Sequence, residues 1–104
     1  MKHIIVEITY KVPIEKIDTF LHEHRSFLDR GYEKNLLLAS GPQNPRFGGM
    51  VIARAETIEE VKEFFREDPF FKNLCAEYRY LEFIPVKYHP EFSSWFGQNF
   101  LSNK

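Results

Sequence analysis

His24 and Asp68 are the two residues of this chain whose type and position point most directly to chemistry. A carboxylate beside an imidazole fixes the ring tautomer and favours the protonated ring, and the second ring nitrogen is then free to exchange protons. Both residues interrupt apolar helix stripes. Leu21 and Leu28 flank His24 at i−3 and i+4, so helical projection places it at the centre of a buried face, whereas His22 points to solvent. Ile58, Val61, Phe64 and Phe65 define the face of a second helix, and the same period carried onward puts Asp68 near its middle. A bare carboxylate there is costly, so it must be paired, cap a helix or do chemistry.

Each of these residues also has a structural reading. His24 serves equally as a core histidine bonded to a backbone carbonyl. Asp68 precedes Pro69, which disfavours helix at position 68, and an Asp-Pro pair suits the N-cap and first position of a short helix from Phe70 to about Leu74. Capping and pairing are compatible, since one oxygen can cap while the other meets a histidine. Ser40-Gly41-Pro42 reads as a strand-ending turn, or as a hydroxyl and backbone amides at the mouth of a pocket. No Gly-x-Ser-x-Gly pattern accompanies Ser40, so no nucleophile elbow is indicated. Arg46, in the loop beyond, reads either as solvated or as a contact for an anionic substrate.

The elements that must position these groups follow from periodicity. Residues 3–10 alternate as a strand, with Ile4, Val6, Ile8 and Tyr10 on one side. After Pro13 the period turns helical from Ile14 to about Tyr32, and Gly31 marks the helix end. Asn35–Ser40 is a second strand and Gly48–Ala55 a third. Thr57-x-x-Glu60 is a capping box that starts the second helix, and Glu77–Tyr88 is a fourth strand with Pro85 at an edge or bulge. The order β-α-β-β-α-β predicts an α+β, ferredoxin-like domain over residues 1–88, with both helices on one face of a four-stranded antiparallel sheet. The other face is left bare and rich in apolar side chains, which predicts a homodimer or higher assembly packed sheet to sheet. Residues 89–104 fall outside that plan. Phe92, Trp95, Phe96 and Phe100 recur at helical spacing and predict a C-terminal aromatic arm or, alternatively, a lid over a pocket.

Composition narrows the function classes. At 104 residues the chain is one domain that buries roughly 60–70% of its unfolded surface. Eleven Phe in so short a chain exceed what one small core needs, which again predicts an interface or a lined pocket. The net charge is −1 and the basic residues are scattered, so no nucleic-acid footprint is present. No apolar run approaches the ~18 residues of a membrane span, and Met1-Lys2-His3 leads into a strand without a signal-peptide pattern. With Cys75 as the single cysteine, the expected location is a reducing cytoplasm. No ligand spacing suggests a metal, and no cofactor motif is visible.

Taken together, His24-Arg-Ser-Phe27-Leu28 with Gly31, Ser40-Gly41-Pro42, Gly48-Gly49, Asp68-Pro69-Phe70 and Tyr78-Arg79-Tyr80-Leu81-Glu82-Phe83 resemble the YciI family, the YCII-related domain. The resemblance covers roughly residues 3–88. It implies a dimeric α/β barrel with His24 and Asp68 as an active-site pair near the dimer interface and Ser40 close by. Beside the resemblance, substrate contacts are expected from Gly41, Pro42, Phe70 and Arg46, and the absence of a cofactor motif predicts cofactor-independent chemistry. The chain departs from the family pattern at Leu21, where many relatives have arginine, and at Asn73, where glycine is common. The resemblance therefore carries no anion-binding role to position 21. The expected activity is acid–base chemistry (hydrolysis, elimination or isomerisation) on a small cyclic or aromatic molecule. The alternatives are a small-molecule binding or sensing domain, a structural dimer module, and a cofactor-free monooxygenase or isomerase of the dimeric barrel type.

Overall fold

The four segments that the sequence reads as extended are all strands. The computed structural model describes residues 1–101, and the side chains of residues 1–97. The strands β1 (Lys2–Tyr10), β2 (Leu37–Pro42), β3 (Gly48–Ala55) and β4 (Ala76–Phe83) form one antiparallel sheet in the order β2-β3-β1-β4. Helices α1 (Ile14–Thr19), α2 (Leu21–Glu33), α3 (Ile58–Phe65) and α4 (Pro69–Lys72) fill the two crossovers. This is the ferredoxin-like α+β arrangement.

The core lies between the sheet and the helices. Ile4, Val6 and Ile8 of β1 and Val51, Ala53 and Ala55 of β3 point into it, as the period of two requires. Ile17, Phe27, Leu28, Val61 and Phe65 meet them from the helices. Phe27 stacks on Phe64 at 4.3 Å between centroids and meets Phe65 edge-on at 5.6 Å. Each buried Phe contributes about 1.5–3 kcal/mol relative to an exposed one.

Several element boundaries differ from expectation for local reasons. The first helix breaks at Phe20 (φ −107°, ψ 4°), where the Thr19 hydroxyl donates back to the Lys16 carbonyl at 2.6 Å and competes with the helix ladder. Gly31 is not the helix end but a buried contact: a Cβ there would lie 2.6 Å from Leu37 Cδ1 and 2.8 Å from Phe64 Cζ. The helix ends instead on Asn35, whose φ of 59° lets the Leu36 amide return to the Gly31 carbonyl at 2.9 Å. That cap delays β2 to Leu37. The strand then runs on through Gly41 and Pro42 before turning. β4 stops at Phe83 rather than reaching Tyr88, since Pro85 has no N–H for the ladder. The Thr57 capping box forms as expected, with the Glu60 amide 3.2 Å from Thr57 Oγ1.

The C-terminal residues fold back over the bare face of the sheet. A 3₁₀ turn (Pro90–Phe92) leads into α5 (Ser93–Leu101). Trp95 lies over the Arg54 guanidinium at 3.8 Å, and Arg54 donates to the Ser94 and Trp95 carbonyls at 3.4 and 3.1 Å. Phe96 packs on His3 at 5.0 Å and edge-on to Phe83 at 6.4 Å. Phe92 is exposed, and the Phe100 side chain lies outside the described residues. Beyond this covered end, the face presents Ile5, Met50, Ile52 and Leu81.

Candidate active site

The chain places Asp68 by ending α3 early. The helix stops at Phe65, and Asp68 adopts an extended conformation (φ −65°, ψ 128°) as N-cap of α4, with Pro69 at the first helical position. Its Oδ1 accepts from the Phe70 amide at 3.1 Å and also lies 2.8 Å from His24 Nδ1. The capping and pairing readings therefore both hold, on a single oxygen. The second oxygen, Oδ2, accepts from the Tyr78 hydroxyl at 2.6 Å. Asp68 is 0% exposed, and these donors satisfy a buried acid that would otherwise be very costly.

Tyr78 is the part of the site that periodicity does not reveal. Neither Tyr78 nor its neighbour Tyr80 lines the cavity that His24 borders. The pairing Ile8↔Tyr78 puts Tyr78 on the helix side of β4, within reach of Asp68. Burial first, and then the Asp68 charge, push the Tyr78 phenol far above its ordinary value, so it remains a donor. The same causes push Tyr80 up to about 12. Alternation along β4 was the only available signal, and it has no means of naming Asp68 as the partner.

His24 is 9% exposed and stacks on Phe70 at 4.1 Å with the rings 12° from parallel. An ionised Asp68 only accepts, so Nδ1 carries the proton of that hydrogen bond. Among the described residues Nε2 has no hydrogen-bond partner. His24 borders a cavity of about 280 Å³ between α2 and the β1-β3-β2 part of the sheet. Ser40, Gly41, Pro42, Arg46 and Phe70 also line it, so every expected site residue except Asp68 reaches the same space. Asp68 stands behind the imidazole.

Ser40 reaches the cavity because of a β-bulge. Leu37 pairs with Ala53 but Ala39 pairs with Ile52, so the extra residue turns Ser40 rather than Ala39 opposite buried Val51. The Ser40 hydroxyl lies 2.6 Å from the Tyr32 hydroxyl. Arg46 is neither fully solvated nor free, since Nη2 lies 2.8 Å from Asp18 Oδ1. Its loop is held by the Gln43 amide on the Gly48 carbonyl at 2.8 Å and the Tyr10 amide on the Phe47 carbonyl at 2.9 Å. Gly48 is required for this closure, because a Cβ there would lie 1.8 Å from the Ile8 carbonyl oxygen. Among the described residues no group of three or more His, Cys, Asp or Glu side chains is placed to hold a metal, and no helix is long and apolar enough to cross a membrane.

A ferredoxin-like α+β domain with a buried histidine–aspartate pair joining its two crossovers, open to a single-ring-sized cavity, is the class of molecule these features define. The chain belongs to the YCII-related domain family, whose pattern matches residues 1–84. Its fold is similar to that of the 5-chloro-2-hydroxyhydroquinone dehydrochlorinase of Burkholderia phenoliruptrix, solved in complex with 2,5-dihydroxybenzoquinone. The two are 19% identical with a TM-score of 0.64, over 88% of this chain and 97% of that one. No curated protein matches the chain significantly.

Proposed function

We propose that this protein is an acid–base enzyme acting on a small cyclic or aromatic molecule, with His24 as the proton-transfer group. The observation that carries the reading is the 2.8 Å bond from His24 Nδ1 to buried Asp68, on a histidine that borders a cavity. Asp68 fixes the tautomer with the proton on Nδ1, so Nε2 is the basic nitrogen. When Nε2 takes a proton from substrate or water, Asp68 stabilises the imidazolium; the reverse transfer makes His24 the acid. Elimination, hydrolysis and isomerisation all need this one reversible transfer. The fold shared with a dehydrochlorinase that acts on a hydroquinone supports a single-ring substrate, and chlorinated hydroxyhydroquinones are the first compounds to assay.

Ser40, its hydroxyl held by Tyr32, orients a substrate oxygen. Gly41 and Pro42 form the rim, and Phe70 forms an apolar wall that also stacks on the base. His24→Gln should reduce turnover by about 10²-fold or more while the far-UV circular dichroism and the mass in solution stay unchanged. Saturable ligand binding with no product from the wild type would instead make this a binding or sensing domain.

The working unit in this reading is a homodimer in which the exposed face around Ile5, Met50, Ile52 and Leu81 packs on a second copy, closing a dimeric α/β barrel. The exposed Met50 and Leu81 support it, since an apolar sheet face of this kind associates. Residues 89–104 act as an arm. Trp95 and Phe96 pack at the His3, Arg54 and Phe83 end of the face, and none of residues 89–97 lines the cavity. A cytoplasmic location is consistent with a lone, buried Cys75.

A further inference from the structure

The cavity beside His24 carries a one-sided charge. Its lining contains two guanidinium groups, Arg25 on α2 and Arg46 in the β2–β3 loop, and no carboxylate. The two come from different elements, so the clustering is not a property of one helix face. Arg46 is braced from behind by Asp18 at 2.8 Å and sits 5.9 Å from the centre of the Tyr10 ring. The Asp18 hydrogen bond raises its already high pKa, so its charge is permanent. Arg25 has no ion pair or hydrogen bond among the described residues. Asp68, the nearest acid to His24, is fully buried behind it and bonded to Tyr78 and the Phe70 amide. Low-dielectric walls around two like charges focus a positive field into the space they enclose.

Apart from His24, Tyr10 and Ser40, the side chains of the remaining lining are apolar, with Ile8, Leu21, Leu28, Val51 and Phe70 among them. A volume of about 280 Å³ lies just below the range of roughly 300–1,000 Å³ that holds drug-sized ligands. Resting on the acid–base reading of His24, we propose that the substrate is a small anion. It has one ring of apolar body and one acidic oxygen, a carboxylate or a phenolate or enolate. Arg25 and Arg46 take the anionic oxygen, and the apolar wall with Phe70 takes the ring, which brings the ring edge to His24. Arg25 and Arg46 then set specificity, because a neutral compound of equal shape leaves Arg25 without a counter-charge and gives Arg46 no anion beyond Asp18.

The test is calorimetric titration with benzoate, 4-nitrophenolate and the neutral benzamide. At least one of the two anions should bind about tenfold more tightly than benzamide, and its affinity should fall as salt is added. Arg25→Gln and Arg46→Gln should each weaken that anion by roughly three- to tenfold and leave benzamide unchanged, while Arg25→Lys should recover part of the loss. Equal affinity for anion and benzamide, an unaffected Arg25→Gln/Arg46→Gln double variant, or no saturable binding of either anion overturns the proposal. His24→Gln separates it from the reading it rests on. Lost anion preference with turnover still dependent on His24 sinks the substrate class alone. Retained anion preference with turnover indifferent to His24→Gln sinks the acid–base role alone.

Discussion

A single carboxylate oxygen here does two jobs that sequence patterns treat as alternatives. Asp68 Oδ1 caps α4 through the Phe70 amide and meets His24 Nδ1, so the imidazole is fixed relative to the start of a helix rather than to a mobile loop. The other oxygen depends on Tyr78. Tyr78→Phe leaves Oδ2 buried without its donor and should lower unfolding free energy by about 1–3 kcal/mol. Urea unfolding reads the loss, and turnover in this variant should fall less than in His24→Gln, since the His24–Asp68 bond survives. An unchanged urea midpoint would mean that water replaces the phenol and that Tyr78 has no positioning role.

Among the elements, α2 carries the most constraint, because it presents His24 to the cavity and Phe27 and Leu28 to the core. Its approach to β2 depends on Gly31. Gly→Ala inside a helix ordinarily stabilises by roughly 0.5–1 kcal/mol. At position 31 the added Cβ meets Leu37 and Phe64 at 2.6 and 2.8 Å, so overpacking should win and cost about 1–3 kcal/mol. The expected result is a lower urea midpoint at unchanged m-value; a stabilised Gly31→Ala protein would show that α2 moves out freely. The helices and strands were legible in sequence because their periods and the Thr57 box are local. The break at Phe20 was not, because a side-chain bond from Thr19 to the Lys16 carbonyl leaves the apolar period intact. Nor was the bulge at Leu38, because it is defined by pairing with β3.

For the whole molecule, the C-terminal arm and the first strand are coupled through His3. Burial, then Arg54, then the N-terminal ammonium lower the His3 pKa, so the unfolded chain binds the proton more tightly. The contribution is therefore fully present above the unfolded value of about 6.5 and is lost as pH falls toward the folded value. Wild type should lose more melting temperature than His3→Gln between about pH 7.5 and about pH 5.5. Truncation after Tyr88 removes the Phe96 contact and should flatten the same difference, while sedimentation reports a changed oligomeric state and ligand affinity stays put. Unchanged mass with altered ligand affinity would make residues 89–104 a lid instead.

What belonged to the sequence alone was the order of elements, the helix-versus-strand periods, the two stripe-breaking residues His24 and Asp68, and the surplus of aromatics beyond the last strand. These are local or compositional properties, set by side chains a few positions apart. The tertiary structure alone decided that Asp68 meets His24, that Tyr78 holds the far side of that carboxylate, and that Ser40 rather than Ala39 faces the helices. It also decided that Arg25 and Arg46 share one cavity whose lining carries no acid. Such facts depend on strand register and helix crossing, which bring residues tens of positions apart within hydrogen-bonding distance, and no periodicity encodes that approach.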